Sequence, residues 1–74
     1  MGIMEKNILM RNNNDKGQLV AELLEVNNIS FINIFGDYDQ DTFFAKGQTF
    51  SYKGLEDIKR YIKSRVGKKY KEAN

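Results

Sequence analysis

The chain of 74 residues carries 12 lysines and arginines against 10 acidic residues, and it contains no cysteine, histidine or proline. A chain of this length forms at most one domain, and such a domain buries only about 60% of the surface that its unfolded chain exposes. The missing cysteines exclude thiol–disulfide exchange, and the missing histidines remove a usual zinc ligand and the commonest general base.

The first predicted elements are a strand and a helix. The apolar run Ile8-Leu9-Met10 ends in three asparagines, which is typical of a short, mostly buried strand over residues 5–11 followed by a loop. Asp15 is expected to cap the next helix, with Gln18 as its capping-box partner. Asn27-Asn28 is expected to end that helix. The side chains predicted on its buried face are Leu19, Val20, Leu23, Leu24 and Asn27.

Three more strands are predicted in the middle of the chain. Residues 29–35 are expected to form a strand that is buried on at least part of both faces. Residues 36–41 form a polar loop. The segments 42–45 and 49–52 are rich in aromatic and β-branched residues, so they are predicted to pair as a hairpin around the flexible turn at residues 46–48.

A final amphipathic helix is predicted after Gly54. Glu56 and Asp57 fall in its first turn, where carboxylates favour the positive end of the helix dipole. Gly67 is expected to end the helix and to leave a solvated tail. The apolar stripe of this helix is predicted to contain Leu55, Ile58, Ile62 and Val66.

These elements predict a small α/β sandwich of the order β-α-β-β-β-α, with a mixed four-stranded sheet. The initial strand-helix-strand unit implies a right-handed parallel crossover. The loop at residues 36–41 is long enough to cross one strand, so the strand order 2-1-3-4 fits, and the simple order 1-2-3-4 stays open. We expect one domain over residues 1–74, with an ordered core at about 5–66 and a basic tail at 67–74.

Charge is distributed unevenly, because residues 59–74 carry seven basic side chains and the single acid Glu72. Such a patch can bind phosphates, an acidic protein or a membrane surface. Alternatively, the lysines only interact favourably with the negative end of the helix dipole and keep the protein soluble. Tyr61 and Tyr70 are the aromatic residues among the lysines. The basic patch consists of Lys59, Arg60, Lys63, Arg65, Lys68, Lys69 and Lys71.

Asp37, Asp39 and Asp41 are spaced like the start of a calcium-binding loop. The twelve-residue loop pattern also requires glycine at its sixth position and glutamate at its twelfth. Thr42 and Gln48 occupy those positions. We therefore expect a solvated acidic turn here and assign no metal site, with a weak, adventitious cation site as the less favoured alternative.

Four segments resemble the glutaredoxin family, which has a thioredoxin-like fold. Residues 15–24 resemble the redox helix, residues 29–34 the second strand, residues 43–45 the hairpin, and residues 54–57 the start of the final helix. The resemblance covers about residues 5–66. Relative to the family, the helix between the second and third strands is missing, and so is the proline that the family holds in cis.

The resemblance implies a glutaredoxin-like site that has lost its redox activity. Where the family has its redox cysteines, this chain has Asn12, Asn13, Asn14 and Asp15. In the family, the start of the final helix contributes to a glutathione groove, which implies ligand or partner binding at Gly54, Glu56 and Asp57. The two acids are equally consistent with an ordinary first helical turn.

Two functions follow from these observations. The first is a non-catalytic, redox-inactive protein-interaction module. The second is a small nucleic-acid-associated protein that uses its basic helix and tail, and whose binding weakens steeply with salt. The asparagine and lysine content fits an AT-rich coding sequence from a bacteriophage or an AT-rich bacterium, and a phage protein would be directed at a host protein.

The apolar runs are far shorter than the ~20 residues that span a bilayer, and the N-terminus lacks the apolar core of a signal peptide. We therefore expect a cytoplasmic chain with no membrane partner. Monomer and homodimer both stay open.

Overall fold

The computed structural model describes residues 6–73. Their secondary structure confirms a small α/β domain with four strands and two helices in the predicted order. The first strand ends one residue later than predicted, and Glu5 lies outside the described residues. The elements are β1 (Ile8–Asn12), α1 (Asp15–Val26), β2 (Ile32–Gly36), β3 (Thr42–Phe44), β4 (Ser51–Lys53), α2 (Gly54–Val66) and a 3-10 turn (Gly67–Lys69).

The four strands form one mixed sheet in the order β2-β1-β3-β4, the first of the two orders left open by the sequence. β1 runs parallel to β2 and antiparallel to β3, and β3 pairs antiparallel with β4. The loop after β2 therefore passes the end of β1 before β3 begins, as its length predicted. In the resulting register, Leu9 of β1 lies opposite both Asn33 and Phe43.

Both helices pack on the same face of the sheet. Leu9 and Phe43 point from that face into the core and are completely buried. They share this core with α1 and α2, which also contact each other. The domain thus has two layers, and its smallest extent is 17 Å. The other buried side chains of the core are Val20, Ala21, Leu23, Leu24, Ile29, Ala45, Ile58, Ile62 and Ala73.

The start of α1 differs from the prediction, because Asn14 and not Asp15 is the N-cap. Asn14 has an extended backbone, with φ of −147°, and its side chain accepts a hydrogen bond from the Gly17 N–H at 2.8 Å. Asp15 is already helical. Gly17 is required by close packing, since a Cβ at this position would lie 2.1 Å from the carbonyl oxygen of Asn12.

The rest of α1 follows its predicted pattern with one exception. Val20, Leu23, Leu24 and Asn27 are buried, but Leu19 is 37% exposed. The helix ends at Val26, directly before the predicted asparagine pair.

The prediction that β2 is buried on part of both faces is wrong. β2 is an edge strand, and all five of its residues are exposed. Its apolar residues resemble those of an interior strand, but only β1 adjoins it, and among the described residues no helix covers the second face of the sheet.

The second half of the chain closely follows the prediction. The hairpin strands are shorter than expected, with three residues each. Ile58 and Ile62 of α2 are completely buried, and the helix ends at Gly67, whose φ of 60° suits glycine. Tyr61 was not predicted in this core, yet its ring lies 5.2 Å from that of Phe43, and burial raises the pKa of its hydroxyl. Neither described helix is long and apolar enough to cross a membrane.

Most of the basic tail is exposed, as the sequence predicted, but its backbone is tied to the end of α1 and Ala73 is buried. The Asn27 side chain donates a hydrogen bond to the Lys71 carbonyl at 2.9 Å and accepts one from the Lys71 N–H at 2.9 Å. Its amide also donates to the Leu23 carbonyl at 2.8 Å. This contact brings Ala73 to 8% exposure, and Tyr70 packs against the core.

We predict that Asn27→Ala lowers the free energy of unfolding by about 1–3 kcal/mol, because the buried Leu23 carbonyl and the partly buried backbone groups of Lys71 lose a hydrogen-bond partner. Urea denaturation measures this change, and amide exchange should rise at Lys71. Asn28→Gly is the matched control: Asn28 has a φ of 62°, which glycine adopts without strain, so its stability should change little. Unchanged amide exchange at Lys71 in the Asn27→Ala variant would contradict a stabilising role of the hydrogen bonds between Asn27 and Lys71.

Candidate functional site

A groove of about 850 Å³ lies at the end of the sheet where β1 stops and β3 starts. Both helices begin at this groove. It brings together five residues of the predicted site, although two of the segments concerned lie about 40 residues apart along the chain. These five are Asn12, Asn13, Asn14, Gly54 and Glu56, and the other lining residues are Lys16, Gly36, Asp37, Tyr38, Asp39, Gln40, Asp41, Lys53 and Leu55.

Two predicted site residues do not line the groove. Asp15 is exposed on the first turn of α1. Asp57 lies on the first turn of α2, where its carboxylate accepts a hydrogen bond from Arg60 Nη1 at 3.0 Å. An ordinary helix-start role therefore describes Asp57 better than a contact with a ligand in this groove.

Asn12 holds the loop that forms one wall of the groove. Its Nδ2 donates to the Tyr38 carbonyl at 3.0 Å, and its Oδ1 accepts from the Tyr38 N–H at 2.6 Å. This pair of bonds mimics the pairing of two strands, so the loop stays against the end of β1. The asparagine at this position thus has a structural task in addition to lining the groove.

Asp41 connects the three segments that meet at the groove. It is only 3% exposed, and its Oδ1 accepts from the Asn12 N–H at 2.8 Å. Its carbonyl accepts from the Gly54 N–H at 2.8 Å. A carboxylate that accepts a backbone N–H in a buried position replaces the water that the donor would otherwise need.

The expectation of a solvated acidic turn is therefore wrong for Asp41 and describes only Asp37 and Asp39, which are exposed. The described residues contain no group of three acidic side chains that could hold a metal ion. The sequence carried one signal for the role of Asp41: it stands directly before β3, where a short acceptor can reach the end of the neighbouring strand.

Arg11 supports the same region from inside and was also missed by the sequence. It is 5% exposed, and its guanidinium lies 4.7 Å from the centre of the Phe35 ring. Its Nε donates to the Asn12 carbonyl at 3.2 Å, and Nη2 donates to Gln18 Oε1 at 3.3 Å. Stacking on an aromatic ring suits a weakly hydrated guanidinium.

The groove offers hydrogen bonds rather than a nucleophile. The amide side chains of Asn13 and Asn14 are exposed at its rim. Its charged lining is mixed and consists of Lys16, Lys53, Asp37, Asp39, Asp41 and Glu56. α2 begins there without a side-chain cap. The first N–H groups of a helix have no partner within the helix, so they favour a carbonyl or carboxylate oxygen. Such a surface can bind the backbone or the terminal carboxylate of a peptide.

The seven basic residues do not form one free patch. Arg60 pairs with Asp57, Lys59 lies 3.9 Å from the Glu72 carboxylate, and the Lys63 ammonium lies 5.1 Å from the centre of the Tyr70 ring. The remaining four border a depression of about 770 Å³ beside the end of α1. These four are Arg65, Lys68, Lys69 and Lys71.

No model of a known protein family matches the chain, and neither the curated proteins nor the solved structures contain a match. The geometry of the groove and of the basic depression is therefore the basis of the functional argument.

We predict that Asp41→Ala lowers the free energy of unfolding by about 1–3 kcal/mol, because the Asn12 N–H loses its buried acceptor. Asp41→Asn keeps an oxygen acceptor at this position and should lose less. Asp39→Ala removes an exposed carboxylate from the same loop and is the control. Urea denaturation ranks the three variants by their free energy of unfolding. Equal losses of stability in Asp41→Ala and Asp39→Ala would contradict the role of Asp41 in joining β1 to the loop before β3.

Proposed function

We propose that this protein is a non-catalytic, glutaredoxin-like interaction module that binds a segment of a partner protein in the groove. The observation that carries the proposal is the meeting of Asn12, Asn13 and Asn14 with Gly54 and Glu56 around one cavity. The resemblance to glutaredoxins implied a shared site for these two segments. The strand order β2-β1-β3-β4 supports it as well.

The groups in the groove favour binding over catalysis. Thiol chemistry is excluded by composition, and Asp41, a buried carboxylate at the groove, already accepts a backbone hydrogen bond. The exposed amide of Asn13 can pair with a peptide backbone, because it carries both a donor and an acceptor. Asn14 can add its amide N–H groups, since its Oδ1 already accepts from the Gly17 N–H. The cavity volume is within the usual range of about 300–1,000 Å³ for ligand sites.

Charge at the groove is mixed. Lys16 and Lys53 line it together with Asp37, Asp39, Asp41 and Glu56, so the lining alone does not select an acidic partner. The start of α2, which has no side-chain cap, favours a carbonyl or carboxylate oxygen of the bound segment. The basic side chains that border the depression beside the end of α1 would speed the encounter with a negatively charged partner. If the chain comes from a phage, a host protein is the expected partner.

We predict that a photo-crosslinking amino acid at position 13 captures a defined partner, whereas the same group at Glu25 does not. Asn13 is exposed at the groove, and Glu25 is exposed on the last turn of α1, so both positions tolerate the change. The measurement is mass spectrometry of crosslinked products from cells of the natural source.

A paired variant sharpens this experiment. Lys16→Glu reverses one charge at the rim without touching the core and should reduce the crosslink at position 13. The same products from positions 13 and 25, or no product from position 13, would contradict a partner site in the groove.

A nucleic-acid-associated function is the second candidate, and the basic depression favours it. Arg65, Lys68, Lys69 and Lys71 face the same space, so they can contact successive phosphates of one strand. Neutralising phosphates releases counterions, which makes such binding strongly dependent on salt.

For this second function we predict that the triple variant Lys68→Gln, Lys69→Gln, Lys71→Gln weakens binding to duplex DNA and lowers its salt dependence by about three phosphate contacts. Lys16→Gln with Lys46→Gln is the control, because these exposed lysines lie away from the depression. Fluorescence anisotropy at two salt concentrations measures both effects. Equal weakening by the control set would contradict a site at the depression.

A further inference from the structure

One face of the sheet carries no helix among the described residues. Leu9 and Phe43 point toward the helices, and side chains alternate along a strand, so their neighbours in sequence point to the other side. The strand register extends this assignment to all four strands. The resulting open face consists of Ile8, Met10, Asn12, Ile32, Ile34, Gly36, Thr42, Phe44, Ser51 and Lys53.

The open face is apolar on β2, β1 and β3. Ile8 and Ile32 lie opposite each other, as do Met10 and Ile34, and Phe44 lies beside Ile8. Ile32 is 45% exposed and Ile34 is 43% exposed, which is high for large aliphatic side chains. Ile8, Met10 and Phe44 are half-buried. Several apolar side chains side by side on one face mark an interaction surface, whereas scattered ones do not.

The two ends of the open face carry opposite charge. Lys6 and Lys46 border a depression together with Ile32, at the end where β1 begins. Asp37 and Asp39 border another depression with Thr42 and Lys53, at the end where β1 stops. Lys53 offsets one of the two carboxylates there. The face is therefore positive at one end, apolar in the middle and weakly negative at the other end.

We propose that a second copy of this chain covers the open face and forms a two-fold symmetric homodimer by packing sheet on sheet. A two-fold axis across the strands puts the lysine end of each copy against the aspartate end of its partner. The apolar centres of the two faces then meet each other. The same patch thus complements itself in both charge and hydrophobicity, a property that an isologous contact requires.

The size of the face determines how tightly the dimer holds. β1 and β2 have five residues each and β3 and β4 have three. With about 3.3 Å per residue and strands about 4.8 Å apart, the face measures about 250 Å². Two such faces cover about 500 Å² in projection, which is below the ~1,200 Å² of standard interfaces. The dimer is therefore reversible, with a dissociation constant in the micromolar range or above.

A charge exchange tests this arrangement. The variant Lys6→Glu with Lys46→Glu makes both ends of the face acidic, and Asp37→Lys with Asp39→Lys makes both ends basic. Each variant alone should dimerise at least about tenfold more weakly than the unaltered chain, because like charges now meet. An equimolar mixture should associate again as a heterodimer. Sedimentation velocity from about 1 μM to 1 mM measures all four samples.

A second pair of variants separates packing of the faces from pairing of strand edges. Phe44→Glu puts a charge on the face of the interior strand β3 and should abolish dimerisation. Asn33→Pro removes a backbone N–H from the free edge of β2. The Ile32 N–H donates to the Asn7 carbonyl, and successive N–H groups of a strand point to opposite sides, so the Asn33 N–H points away from β1. This variant should still dimerise, and circular dichroism verifies the fold of both.

Three results would overturn the proposal. The first is an unaltered chain that stays monomeric up to 1 mM, and the second is a charge-exchanged mixture that associates no better than its components. The third is loss of the dimer in a folded Asn33→Pro variant, which would assign the contact to the edge of β2. Because every readout is self-association, failure here leaves the groove and its partner untouched.

Discussion

Asp41 is the residue on which the arrangement of this domain most depends. Its carboxylate accepts a hydrogen bond from the end of β1, and its carbonyl accepts one from the first residue of α2. A single buried residue thus joins an interior strand, the loop before β3 and the second helix. The groove exists because these segments are held at one place, and Gly17 allows α1 to begin close to the same point.

The two-layer architecture explains both proposed surfaces. Placing α1 and α2 on the same face produces one core and puts the start of each helix at the groove. The consequence of this arrangement is an apolar sheet face that no helix of residues 6–73 covers. The open face and the groove are therefore consequences of the same layout.

The sequence predicted the fold better than it predicted the site. Periodicity located both helices and all four strands, since these patterns depend on residues close together in the chain. It did not reveal that β2 is exposed, because an edge strand and an interior strand can share the same apolar residues. It also missed the roles of Asp41 and Arg11, and it placed Asn27 on the buried face of α1 without revealing the hydrogen bonds of Asn27 to Lys71. These roles depend on partners that long-range folding brings close.

The composition of the edge strand β2 links folding to aggregation. Residues 26–36 contain no charged residue and no proline, although natural edge strands commonly use both to prevent unwanted pairing. Any opening of the domain exposes this whole segment, which has the apolar, β-prone character of segments that form intermolecular sheets. Loss of the two hydrogen bonds that Asp41 accepts would therefore increase the fraction of unfolded chains. Because unfolded chains aggregate or are degraded irreversibly, the amount of folded protein would fall by more than the change in folding free energy implies.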